Sequence, residues 1–194
     1  FTADGQLWGN PLYRWDVMAR DGYRWWLDRI RASLELFDAV RIDHFRGFES
    51  YYAIPYGEVT ARNGKWVKGP GKGLIAAIKQ SFPNVQIIAE DLGFLTQEVK
   101  ELLSYSGFPG MKIIQFAFDS REKSDYIPFK YSRNCVVYTG THDNETTLGW
   151  IESVSAESLQ YAKSYLMCED ADKDRCVDLL ITLALSSAAD WAVI

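Results

Sequence analysis

Three stretches of the chain each set an acid just after an apolar run: Val40-Arg41-Ile42-Asp43-His44, Ile87-Ile88-Ala89-Glu90-Asp91, and Val136 to Tyr138 leading into Gly140-Thr141-His142-Asp143. In the first, a short strand can bury Val40 and Ile42, while Arg41 and Asp43 share the opposite parity and point the same way. One such pair could equally be a structural ion pair at a strand end. Two further carboxylates in the same kind of place favour chemistry. Carboxyl groups suit the breaking of an acetal, in which the departing oxygen needs a proton and the oxocarbenium carbon needs a negative charge or a nucleophile.

Other chemistries fit these residues less well. The two histidines, His44 and His142, each adjoin an aspartate after an expected strand, which makes a zinc or manganese site the first rival. The chain has no HExxH and no compact His/Cys set, and its two histidines fall in two separate loops. A Ser-His-Asp hydrolase would need a GxSxG elbow, and none occurs. Gly69-Pro70-Gly71-Lys72-Gly73 is not a phosphate loop, because GxxxxGK followed by Ser or Thr is missing.

The elements that must position these acids alternate along the chain. Residues 1–21 read as loop, punctuated by Gly5, Gly9 and Pro11. An amphipathic helix is expected over 23–37, where Tyr23, Trp26, Leu27, Ile30, Leu34 and Phe37 recur at three and four. It leads into a strand at 39–43. Residues 48–73 hold Tyr51, Tyr52, Tyr56 and Trp66 among polar residues and read as a long lid or rim loop. A helix at 74–82 and a strand at 85–89 follow, then a helix to about 105 with Thr96 as its cap and Glu98 in its first turn. Strands are expected at 111–118, ending at Asp119, and at 135–139. Ser155 opens a helix to about 166, Asp174 opens another to about 188, and 191–194 begins a fifth strand.

Strand and helix in alternation argue a parallel sheet with helical crossovers, and carboxylates delivered by several different strands suit the top face of a (β/α)8 barrel better than the single switch point of an open sheet. The expected fold class is therefore α/β of the TIM-barrel type, present as a partial barrel of about four and a half strands. With 194 residues against the roughly 250 of a whole barrel, the chain reads as an excerpt of a larger catalytic domain, its early strands and everything after the start of its last strand lying elsewhere.

Composition sets limits on partners. A formal net charge of -5 argues against a nucleic-acid backbone, whereas a neutral sugar is compatible with it. No apolar run is long enough for a membrane span, and no leader peptide opens the chain. Cys135, Cys168 and Cys176 are odd in number and lack metal-type spacing, which favours free thiols in a reducing compartment. Seven Trp and eleven Tyr supply flat rings for core, interface or pyranose faces. Trp8 beside Gly9 could be such a sugar platform or could plug a barrel end.

The strings RIDHFRGF at 41–48, IIAEDLG at 87–93 and THDN at 141–144 resemble the 4-α-glucanotransferase family, also called amylomaltase or disproportionating enzyme. GQLWGNPLY at 5–13, GPGK at 69–72 and FPGMKIIQFAF at 108–118 extend the resemblance over nearly the whole chain. It implies an α-amylase-like barrel that transfers α-1,4-glucan segments between maltooligosaccharides with retention, without a cofactor or metal. Asp43 would then be the nucleophile, Glu90 the acid/base and Asp143 a carboxylate gripping sugar hydroxyls. Arg41, His44 and His142 would hold neighbouring oxygens, with Gln6, Trp8 and, more weakly, Asp119 touching substrate. Asp91 rivals Glu90, and only the resemblance chooses between them. Retention requires the two catalytic carboxyls about 5–5.5 Å apart, with Glu90 holding a proton near neutrality. The resemblance also implies starch, glycogen or maltodextrin metabolism in a cytoplasm or plastid. An α-amylase-type hydrolase and a non-catalytic starch-binding protein are the alternatives.

Overall fold

A computed structural model describes residues 4–93, 95–121 and 124–194. The chain divides into two compact units, Phe1–Phe108 and Pro109–Ile194. Among the described residues no helix is long and apolar enough to cross a membrane.

In the first unit, helix α1 spans Trp15–Arg20, α2 Arg24–Leu34, strand β1 Ala39–Ile42, β2 Ser50–Ala53, β3 Lys65–Lys68, α3 Gly71–Ser81, β4 Gln86–Ala89 and α4 Gln97–Ser106. β1 and β4 run parallel, in register from Ala39 opposite Gln86 to Ile42 opposite Ala89. Ile30 of α2, Leu74, Ile75 and Ile78 of α3, Ile87 and Ala89 of β4 and Leu102 of α4 close a buried core around Ile42, Phe45 and Phe48. Leu74, Ile75 and Ile78 recur on one helical face and are wholly buried, each contributing about 1.5–3 kcal/mol by leaving water. This core fixes where β1 and β4 end.

Three expectations for this unit are corrected. The segment read as loop over 1–21 contains α1, which buries none of its residues and so carries no apolar stripe in its sequence. The segment read as a long loop over 48–73 holds an antiparallel hairpin of β2 and β3, with Tyr52 opposite Trp66 and their rings edge to face at 5.4 Å. Thr96 does stand at the N-cap of α4, but its hydroxyl makes no capping hydrogen bond. After β3 the chain passes so close to its own backbone that a Cβ on Gly69 would lie 2.4 Å from the carbonyl oxygen of Phe48.

The second unit comprises β5 Gly110–Ile113, β6 Cys135–Tyr138, α5 Thr147–Ser153, α6 Ala156–Tyr165, α7 Lys173–Leu185 and β7 Trp191–Val193. The strands form a parallel sheet in the order β5-β6-β7. Ile114, Phe118, Val137, Ile151, Cys176 and Leu180 are central to its core. The strand expected over 111–118 stops at Ile113 and gives way to a 3-10 turn at Ile114–Phe116. Apolar side chains continue past that point because Ile114, Ala117 and Phe118 are buried from the turn instead of from a strand. α5 was not expected. Ser155 caps α6 by accepting from the N–H of Ser158 at 3.2 Å. For α7 the cap is Asp172, accepting from the N–H of Arg175 at 2.8 Å, and Asp174 stands in the first turn. All three cysteines are free thiols, with Cys135 and Cys176 buried.

Candidate active site

β1 and β4 end level with one another, and their ladder continues one step further. The N–H of Glu90 donates to the carbonyl of Ile42 at 2.9 Å, and the N–H of Phe45 donates to the carbonyl of Glu90 at 3.0 Å. Asp43 and Glu90 therefore leave neighbouring parallel strands side by side, with backbones about 4.8 Å apart. Both acids belong to the same unit, so this pairing is a local consequence of strand register.

Each carboxylate has its own support. Arg41 Nη2 donates to Asp43 Oδ1 at 2.8 Å, from a guanidinium only 25% exposed to a carboxylate 74% exposed. The shared parity read from the sequence is thus realised. Glu90 accepts two main-chain bonds, on Oε2 from the N–H of His44 at 2.7 Å and on Oε1 from the N–H of Leu92 at 2.8 Å. His44 itself takes a left-handed backbone, φ 49° and ψ 50°. Such a conformation costs a non-glycine residue of the order of 1–3 kcal/mol and is characteristic of functional sites. The following turn is held by Phe45 and Phe48, both buried. Of the two adjacent acids, Glu90 is half-buried and Asp91 buried.

In the second unit the turn after β6 carries His142 and Asp143. Asn144 closes it, its Oδ1 accepting from the N–H of Thr141 at 2.9 Å and from the Thr141 hydroxyl at 2.8 Å. His142 Nε2 lies 3.3 Å from Asp143 Oδ2, with both side chains exposed. A cavity of about 420 Å³ opens beside them, lined by Gln115, Phe116, His142, Asp143, Asn144, Glu145 and Trp150. Gln115, Glu145 and Trp150 were not foreseen from sequence. The available signal for Gln115 was a lone amide in the otherwise apolar run from Ile113 to Phe118.

The remaining expected site residues are placed differently. Asp119 is engaged on both oxygens by Arg121, at 2.9 Å to Oδ1 and 2.6 Å to Oδ2, and this guanidinium together with the Arg121 N–H lowers its pKa to about 2. Gln6 and Trp8 are exposed, the latter at 76%. Among the described residues neither makes a hydrogen bond, ion pair or ring contact with Arg41, Asp43, His44 or Glu90. No group of three or more His, Cys, Asp or Glu among the described residues is arranged to hold a metal ion.

With this geometry in hand, comparisons with known proteins define the class first. A solved structure of amylomaltase from Streptococcus agalactiae in complex with acarbose superposes with a TM-score of 0.90 and 38% identity, over 99% of this chain and 39% of that one. This likeness gives the chain a TIM-barrel-type α/β fold of the glycoside hydrolase kind. The sequence model of the family described as 4-alpha-glucanotransferase matches residues 1–194. The chain belongs to that family. A 4-alpha-glucanotransferase of Synechocystis is 48% identical over 100% of the chain and 38% of its own length. One of Streptococcus pneumoniae is 58% identical over 77% of the chain and 30% of its own. The chain thus spans between 30% and 39% of the length of these relatives.

Proposed function

We propose that the protein transfers α-1,4-glucan segments between maltooligosaccharides by double displacement with retention. Asp43 attacks the anomeric carbon as the bond to the departing sugar breaks, and Glu90 gives its proton to that sugar's oxygen. An acceptor 4-hydroxyl then gives its proton back to Glu90 and attacks the same carbon, breaking the ester to Asp43 and restoring the original configuration. Arg41 orients Asp43, His44 and His142 hold sugar oxygens, and Asp143 grips sugar hydroxyls from its own turn. Gln6 and Trp8 contact substrate. Asp119 contributes least, because its carboxylate is already taken by Arg121.

The observation that carries this reading is the parallel register of β1 and β4, which sets Asp43 and Glu90 at adjoining strand ends. Strand spacing of about 4.8 Å is compatible with the 5–5.5 Å carboxyl separation of a retaining mechanism. Family membership supports the choice of Glu90 over Asp91, as does the burial of Asp91. Residues 1–194 form part of a larger (β/α)8 barrel whose remaining strands complete the cleft. Donor and acceptor are chains of starch, glycogen or maltodextrin, and the free thiols suit a reducing compartment, a cytoplasm or a plastid.

Incubating the full-length protein with maltotriose tests the activity. Glucose and longer oligomers should form while total reducing ends stay constant. A steady rise in reducing ends would make the protein a hydrolase of the α-amylase type, and no change in the oligomers would leave a starch-binding protein without catalysis.

A further inference from the structure

The turn that carries His142 and Asp143 is held by a side chain from another element. Gln115, in the 3-10 turn after β5, is 8% exposed, and its Nε2 donates to the main-chain oxygen of Glu145 at 2.8 Å. Its own N–H donates to the carbonyl of Thr139 at 3.3 Å. Backbone and side chain of this one residue therefore fasten both ends of the segment from 139 to 145. A Cβ on Gly140 would lie 2.6 Å from Gln115 Nε2 and 3.1 Å from its amide carbon, so the amide crosses a position that a larger residue would block. Between the fastened ends, Asn144 closes the turn onto Thr141, and the N–H of Asp143 donates to the Thr141 hydroxyl at 3.3 Å.

The consequence concerns Asp143. Its side chain is 76% exposed, with His142 Nε2 3.3 Å from its Oδ2, so its place is set by the main chain beneath it. An exposed carboxylate is useful to a reacting sugar only if that main chain is fixed to within about 0.5 Å. We propose that Gln115 is a positioning residue for Asp143 in glucan transfer, acting through the carbonyl of Glu145 and its close approach to Gly140. This rests on the role given to Asp143 above.

The experiment compares Gln115→Met, which keeps the length of the side chain and removes its donor, with Gly140→Ala, which displaces the amide without deleting it. Both are made in the full-length protein. Each variant should lower kcat for maltotriose disproportionation by roughly 10–100-fold, as misplacement by about 1 Å does, while KM stays within about twofold of the wild type. Amide hydrogen exchange at Asp143 and Asn144 should quicken by at least about tenfold, with β6 unchanged. Wild-type kcat together with wild-type exchange would overturn the proposal. Faster exchange throughout the second unit would do the same, because it marks a general structural role. Should Gln115→Met fail to fold, Gly140→Ala reads the same quantities. If the wild type transfers no glucan, the proposed function fails, and exchange alone still decides whether Gln115 holds the turn.

Discussion

The main-chain N–H of His44 donates to Glu90 Oε2 at 2.7 Å, linking the residue after Asp43 to the acid on the neighbouring strand. His44 takes a left-handed backbone conformation, which steers the chain after this bond into the turn that carries Phe45, while the N–H of Leu92 holds the other oxygen of Glu90. The two proposed catalytic acids are therefore coupled through backbone, in addition to standing side by side.

That coupling predicts a difference between two substitutions that delete the same imidazole. Asparagine tolerates the left-handed region, whereas a β-branched residue there is a genuine outlier. His44→Asn should therefore keep the turn that follows the bond to Glu90, and His44→Val should strain it. Transfer by the valine variant should fall about tenfold or more below that of the asparagine variant, matching a conformational penalty of about 1–2 kcal/mol. Steady-state kinetics on maltotriose checks this, and equal rates would show that the left-handed turn does not matter.

Neutral isosteres at the acids separate chemistry from folding. Asp43→Asn and Glu90→Gln should each lower kcat at least about 10³-fold, since each removes a group that acts on reacting atoms. Asp43 is largely exposed and its partner Arg41 sits at the edge of the core, so the thermal midpoint of Asp43→Asn should stay near that of the wild type. Kinetics and thermal unfolding on the same preparations give both answers.

Acid titration reads the Asp119 pair. Arg121 lowers the carboxyl to about 2 in the folded protein, against about 3.9 in an unfolded chain. A folded pKa below the unfolded one contributes stability that is complete above about pH 4 and lost as pH falls through about 2. Wild type should accordingly be more stable than Arg121→Gln at pH 6, with the difference shrinking between pH 4 and pH 2. Urea unfolding of both proteins across that range measures it, and a difference that grows on acidification would contradict the pairing.

Gly69 tests the backbone crossing beneath the hairpin. An added Cβ would meet carbonyl oxygens of Phe48 at 2.4 Å and Gly47 at 2.6 Å, which cannot swing away as a side chain can. Restricting the unfolded chain favours alanine by only about 0.4–1 kcal/mol, whereas overpacking costs about 1–3 kcal/mol. Gly69→Ala should therefore lower stability by a net of roughly 1 kcal/mol in denaturant unfolding. An unchanged midpoint would show that the crossing relaxes freely.

Sequence made the strand ends legible and hid the exposed hairpin. β1 and β4 are short runs that finish in acid, and β6 runs into the turn that carries Asp143; of the two residues expected to be buried in β1, Ile42 is buried and Val40 half-buried. β2 and β3 escaped notice because the hairpin leaves Tyr52 and Trp66 exposed, so burial imposed no clear alternation. β5 looked too long because apolar residues in a strand and in the following 3-10 turn read alike once both are buried. At the site, the Arg41–Asp43 pair followed from parity alone. The bonds from the N–H groups of His44 and Leu92 did not, since main-chain geometry leaves no mark on residue type. Choosing Glu90 over Asp91 needed a resemblance, because two consecutive acids share one strand end.

The covalent step proposed for Asp43 can be seen directly by mass. Glu90→Gln in the full-length protein, given an α-glucosyl fluoride whose leaving group needs no proton, should form the ester and then stall, because the base for the second step is gone. Peptide mass spectrometry should find one glucosyl unit on the peptide carrying Asp43 and none in Asp43→Asn/Glu90→Gln. A glucosyl unit on any other carboxylate, or turnover of the fluoride without any adduct in the wild type or the variant, would contradict the assignment.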